Sequence, residues 1–208
     1  MIYNGPHIYV ANAYSKTPRT QCIVANRDYD TIDLFKMKKD FVPRSNYRRN
    51  ISVQDIRTYI HGFLKNVNDK DSYENYLDYY KVGFRNMMSQ SGERTLICAV
   101  LPRKTAHING VRSISFLNRT DTVDMAALCS SIVMDFYMKT IGSDNLMPSR
   151  MQSFPLGVAP KYQPAIYSRT LLLNCLTVHY SDLWQEMWDG AYKQETWSID
   201  DPRLKPFD

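Results

Sequence analysis

Between Tyr80 and Pro102 the chain reads as two strands joined by a turn, and this segment limits the folds open to everything around it. Tyr80, Val82 and Phe84 alternate with Lys81, Gly83 and Arg85, the period-two pattern of a half-buried strand. Ser91-Gly92 supplies a turn. Thr95–Leu101 is then a short apolar run stopped by Pro102, which predicts a strand buried on both faces. The two runs are expected to pair as a hairpin. A polar segment, Arg103–Gly110, leads into a further strand over Val111–Leu117.

A sheet needs a second layer, and the sequence beyond it is helical. Met125, Leu128, Cys129, Ile132, Val133, Phe136 and Thr140 fall on one face of a single predicted helix, with Asp121 or Thr122 to cap its start and Gly142 to end it. A second helix is expected from Pro164, with Ile166, Leu172, Leu173 and Leu176. A third starts near Ser181-Asp182, with Leu183, Trp184, Met187, Trp188 and Ala191 as its stripe. Residues 1–50 read as loops with short strands at His7–Val10 and Asp30–Leu34, since Pro6, Pro18 and Pro43 discourage long helices. Asn66–Ser72 is turn-like, residues 144–162 are irregular, and the tail from Trp197 shows no core role. No internal repeat or low-complexity linker divides the chain. The fold expected is one mixed α/β (α+β) domain, a mixed sheet with a few packed helices, in which residues 161–208 form a helical extension packed on residues 1–160.

Several function classes drop out. With 208 residues, 44% hydrophobic and 23% charged, the chain is neither disordered nor a membrane protein, and no run approaches the apolar length of a membrane span. The N-terminus lacks the basic start and apolar core of an export signal. Cys22, Cys98, Cys129 and Cys175 are far apart with no CxxC pair, which reads as reduced thiols of a cytoplasmic protein. There is no glycine-rich phosphate loop, Walker motif, nucleophile elbow or HExxH, and His7, His61, His107 and His179 are dispersed. Asp30 and Asp33 lack the Glu-x-Lys of a metal-dependent nuclease. A catalytic site, a metal site and a cofactor are therefore not expected in this chain.

Charge is what remains. The net charge is +5, and residues 1–50 alone hold nine Lys/Arg against four Asp/Glu. Two polar segments suit nucleic acid: Pro43–Arg49, with Arg44, Asn46, Tyr47, Arg48 and Arg49, and Arg103–Arg112, with Arg103, Lys104, His107, Asn109 and Arg112. Arginine grips guanine with two hydrogen bonds, asparagine does the same for adenine, and lysine, serine and threonine suit phosphates. The competing reading is structural, with Arg44 and Arg94 pairing with carboxylates such as Asp40 and Glu93 to fix turns. The 15 tyrosines do not decide between stacking on bases and filling a core.

Tyr80–Arg85 followed by Ser91-Gly92-Glu93-Arg94-Thr95-Leu96-Ile97-Cys98-Ala99-Val100-Leu101-Pro102 resembles a recurring block in target-recognition domains of Eco57I-like and TaqI-like adenine-N6 DNA methyltransferases and restriction–modification enzymes, including those of phage defence. Pro43–Tyr47 is similar to a PRTNY element of the same proteins, Cys129–Tyr137 to their L-N-S-x-x-x-D-Y helix, and Arg169–Thr177 with Tyr180–Trp184 to a segment beyond that domain. The matches reach from about His7 to Trp188. The resemblance implies a double-stranded DNA specificity module that works with a separate catalytic domain, and that domain would bind S-adenosylmethionine and flip the adenine. This chain has no NPPY-type tetrapeptide, so the resemblance implies no catalysis here. Arg44, Asn46, Tyr47, Arg85 and Arg94 occupy the motif positions. Arg103, Lys104, His107, Asn109 and Arg112, in variable loops, are the expected base readers. The alternative is a non-catalytic interaction or scaffold module of a defence complex.

Overall fold

A computed structural model describes residues 1–21, 27–50, 52, 76–202, 204 and 207. The Asn66–Ser72 segment, Cys22 and His61 lie outside these residues. The fold is mixed α/β, with small sheets of two or three strands and five α-helices among the described residues.

The strands in chain order are β1 (Ile2–Tyr3), β2 (Lys16–Pro18), β3 (Tyr29–Thr31), β4 (Lys81–Arg85), β5 (Cys98–Leu101), β6 (Ala106–His107) and β7 (Val111–Ser115). The expected hairpin is present: β4 pairs antiparallel with β5 in the register Val82↔Val100 and Phe84↔Cys98. Strand β7 pairs with the other edge of β4, placing Ile114 beside Val82. The strand expected over Val111–Leu117 thus ends at Ser115, and that expected over Thr95–Leu101 begins only at Cys98.

Across the sheet, residues in register point to the same face. The face bearing Val82, Phe84, Cys98 and Val100 meets α1 (Arg119–Ser130), where Cys98 Sγ lies 3.5 Å from Ser130 Oγ. The alternation in β4 predicts a half-buried strand, with Lys81, Gly83 and Arg85 on its polar side. Instead β4 is buried from Lys81 to Phe84, and the N-terminal segment is held at its Arg85 end by the Gly5 and Ile8 carbonyls. Lys81 is fully enclosed, its Nζ donating to the Tyr79 carbonyl at 3.1 Å and lying 4.6 Å from the Tyr76 ring centroid. Gly83 is crowded by the neighbouring strand: a Cβ there would come within 2.6 Å of Leu101 Cδ1 and 2.8 Å of Leu101 Cγ. Gly83→Ala is therefore expected to lower stability by about 1–3 kcal/mol, the usual cost of overpacking a core. Urea unfolding measures it, and an unchanged midpoint would show that Leu101 can step aside.

The outer edge of β5 is closed by other parts of the chain. Asn174 Oδ1 accepts from the Val100 N–H at 2.9 Å, the Tyr180 hydroxyl donates to the Val100 carbonyl at 2.8 Å, and the Ala11 N–H donates to the Cys98 carbonyl at 2.8 Å. These contacts occupy three of the backbone groups that edge could offer another strand.

The expected strand at His7–Val10 is not formed. Asn4 and His7 cap a 3-10 turn over Gly5–His7, with Asn4 Oδ1 accepting from the Gly5 N–H at 2.7 Å, while β1 runs parallel to β6. The strand expected at Asp30–Leu34 is β3, paired with β2 and ending at Thr31. Asp33 then accepts the Phe35 N–H at 3.1 Å and turns the chain.

The helix expected from Met125 to Thr140 is two helices. Asn118, rather than Asp121 or Thr122, caps α1 by accepting the Thr120 N–H at 2.8 Å. At Ser131 the backbone is extended (φ −71°, ψ 153°), and the Ser131 hydroxyl accepts the Met134 N–H to start α2 (Ile132–Ile141). Gly142, at φ 69°, ends α2 as expected. The break rotates the apolar stripe: Met125 and Cys129 are buried in α1, but in α2 Met134, Asp135 and Met138 turn inward, while Ile132, Val133 and Phe136 face outward.

A short α3 (Pro148–Gln152) interrupts the stretch read as irregular. Helix α4 (Gln163–Asn174) begins with proline in its first turn, as predicted, and α5 (Ser181–Met187) is shorter than its apolar stripe suggested. Tyr167, Leu171, Tyr180 and Leu183 join the same hydrophobic cluster as the sheet. The tail has a packing role that its composition hides. Trp197 and Phe207 lie 4.8 Å apart, with the Arg169 guanidinium over both rings. Among the described residues no helix is long and apolar enough to cross a membrane.

Candidate nucleic-acid interface

The sheet and its cover distribute the basic residues into an inward set and an outward set. Arg85 and Arg94 belong to the first. Arg85 Nε donates to the Gly5 and Ile8 carbonyls at 3.0 and 2.8 Å, fastening the N-terminal segment to the sheet. Arg94 donates to the Ser130 and Ser131 carbonyls at 2.7 and 3.2 Å, the groups left open where α1 ends. Its ion-pair partner is Asp135, at 3.4 Å, rather than Glu93. Asp135 Oδ1 also accepts the Thr95 and Leu96 N–H groups, each at 2.7 Å. Two of the segments that carry the family resemblance, Glu93–Leu96 and Ser131–Asp135, thus meet around one buried carboxylate.

His107 is also turned inward. Its Nε2 lies 2.8 Å from Ser113 Oγ and 3.2 Å from the Tyr76 hydroxyl, while Nδ1 lies 3.1 Å from the Ile108 carbonyl. Burial lowers its pKa, so the ring is held neutral in this cluster. Arg103 is split between roles. It pairs with Asp182 at 2.7 Å, its Nε is buried without an acceptor, and with Arg119, Tyr80 and Phe116 it lines an open cavity of about 510 Å³. Arg119 is neutralised there by Glu186 at 2.7 Å.

The outward set is more coherent. The Arg44 backbone is clamped at both ends, its N–H donating to Thr17 Oγ1 at 3.0 Å and its carbonyl lying 2.8 Å from His7 Nε2. The Arg44 guanidinium donates to Thr20 Oγ1 at 3.0 Å, with no link to Asp40. Ser45 Oγ then donates to the Ile2 carbonyl at 2.7 Å and accepts the Tyr47 N–H, so the segment lies along β1. Asn46, Tyr47, Arg48 and Arg49 are exposed beyond it. Arg49 and Lys104 share a small cleft with Met1 and Ile2. Lys104 is exposed and in the left-handed region (φ 59°), at the bend between β5 and β6. Among the described residues no carboxylate pairs with Arg44, Arg48, Arg49 or Lys104. Lys38 and Lys39 are exposed and unpaired in the same sense. With Lys36 they form a basic run in the sequence, but a run of charge alone does not reveal what it faces.

Asn109 and Arg112 lie elsewhere. Asn109 is exposed at the tip of the β6–β7 turn, which the Val111 N–H closes on the Ile108 carbonyl at 2.9 Å. Arg112 is half-buried and donates to Asn86 Oδ1 at 3.3 Å. By the register of β7 against β4, this turn is at the Arg85 end of the sheet. Arg103 and Lys104 are at the Lys81 end, after β5. The residues chosen from sequence therefore form an exposed basic stripe, Arg44 to Arg49 with Lys104, and a separate polar turn, with Arg85, Arg94 and His107 used inside the fold.

Among the described residues no group of three or more His, Cys, Asp or Glu is placed to hold a metal ion. The sequence matches no family model, and no match to it is found among curated proteins or solved structures.

Proposed function

We propose that this chain is a sequence-reading module for double-stranded DNA, of the kind that serves adenine-N6 DNA methyltransferases and restriction–modification enzymes, and that it carries no catalysis of its own. The observation that supports this most is the exposed stripe of Arg44, Arg48, Arg49 and Lys104, whose cations have no carboxylate partner among the described residues. Cations left unpaired on a clamped backbone are suited to phosphates, which set register and supply most of the salt-dependent affinity. The Asn109 turn, with Arg112 behind it, is the better candidate for base edges, because asparagine and arginine make two-point contacts there. The partner is duplex DNA together with a methyltransferase domain that holds S-adenosylmethionine, in the cytoplasm.

Fluorescence anisotropy with random and defined duplexes at several salt concentrations tests the reading. Salt-sensitive binding is expected. Replacing Arg48, Arg49 and Lys104 together by alanine should flatten the log–log salt slope by roughly 3 and weaken binding about 10- to 100-fold near physiological salt. Asn109→Ala and Arg112→Ala should instead relax sequence preference. No binding at low salt, or a triple variant with the parental slope, would refute the proposal. A second reading, a protein-interaction module, is favoured by one observation, the outward apolar face of α2.

A further inference from the structure

Helix α2 is inverted relative to an ordinary surface helix. Ile132 and Val133 are each 76% exposed, Phe136 is 70% exposed and Tyr137 is 42% exposed, all on one face that ends at Thr140. The charged side chains of this helix point elsewhere: Asp135 is buried against Arg94, and Lys139 Nζ donates to the Gly92 and Glu93 carbonyls at 3.0 and 3.3 Å. An uncharged face of this kind marks an interaction site, and its chemistry limits the occupant. It carries no charge to hold phosphate and no complement to an acidic or basic peptide. A second apolar face that is also free of charge is what it fits, and an identical copy supplies one by a two-fold axis.

We infer that two copies of this chain associate through α2, helix against helix. The inference stands on this helix alone and does not depend on the DNA reading. The area agrees with it. At the side-chain areas typical of large apolar residues, the four exposures amount to about 500 Å² per copy. The pair then buries about 1,000 Å², the lower bound for a specific interface. Phe136 occupies the middle of the face, one turn after Ile132 and Val133 and one turn before Thr140. It is the residue nearest the axis and meets its own counterpart across it.

Sedimentation velocity of the whole chain at high salt, from about 1 to 200 µM, spans the affinity that so small an interface supports. The wild-type chain is expected to pass from monomer to dimer within that range. Phe136→Glu buries a carboxylate on the axis and should weaken association at least about 100-fold. The side chain is exposed, so its far-UV circular dichroism should match the wild type. Phe136→Cys should give a covalent dimer under mild oxidation that the wild-type chain, run alongside, does not give. A wild-type chain that stays monomeric to 200 µM would overturn the inference. A Phe136→Glu variant that dimerises like the wild type, or a Phe136→Cys variant that does not cross-link, would do the same.

Discussion

Asp135→Ala is expected to cost about 3–5 kcal/mol of folding stability, the range found when one partner of a buried charge pair is removed. Asp135 Oδ1 accepts two backbone N–H groups at 2.7 Å and faces Arg94 Nε at 3.4 Å. Alanine leaves both amides without an acceptor, and each buried unsatisfied donor is itself destabilising. It also strands the largely buried Arg94 cation, whose remaining partners are the carbonyls at the end of α1. For a chain of this size the loss corresponds to a fall of about 10 °C in Tm. Asp135→Asn retains an acceptor for the amides and should lose less. Urea unfolding with an unchanged slope measures both. A loss below about 1 kcal/mol in the alanine variant would show that the joint between the β4–β5 turn and α2 is not held by this carboxylate.

The second large effect has the opposite sign. Lys81 has no ion-pair partner among the described residues, and burial lowers its pKa to about 8. The folded protein thus disfavours the charged form that the unfolded chain keeps up to about 10.5. Below pH 8 the ammonium must be carried into the interior and the fold is weakened. Between pH 8 and 10.5 the unfolded state binds more protons than the folded one, so stability rises with pH over that window. Lys81→Met, which removes the charge and keeps the length, is expected to stabilise the protein at pH 7 by about 3 kcal/mol, the free energy of a shift from 10.5 to about 8. That advantage should shrink towards zero as pH approaches 10.5. Buried tyrosines with raised pKa values, Tyr3 and Tyr180 among them, work against stability at the alkaline end. The difference between wild type and variant, followed by unfolding from pH 6 to 10, isolates the lysine. A variant less stable than wild type at pH 7 would mean that the contacts of Lys81 with Tyr76 and the Tyr79 carbonyl outweigh its desolvation.

What could be read in the sequence was local. Alternation at Tyr80–Phe84, the turn at Ser91-Gly92 and the stop at Pro102 are short-range signals of a hairpin, and the hairpin is there. Gly142 as a helix end and Pro164 in a first turn are likewise set by the φ angles those residues favour. The positive excess in residues 1–50 is a count, read directly along the chain. The tertiary structure decided everything that depends on which surface covers which. Lys81 alternates with apolar neighbours and reads as outward-facing, yet it is fully enclosed, against the Tyr76 ring and the Tyr79 carbonyl. Ile132, Val133 and Phe136 continue the period of α1 on paper. A single serine whose hydroxyl caps a new helix broke that period and turned them to solvent. Arg94 lies next to Glu93 in the chain but pairs with Asp135, 41 residues away. Periodicity and turn chemistry act over a few residues and can be read along the chain. Burial and pairing depend on segments far apart in sequence, and only packing brings those together.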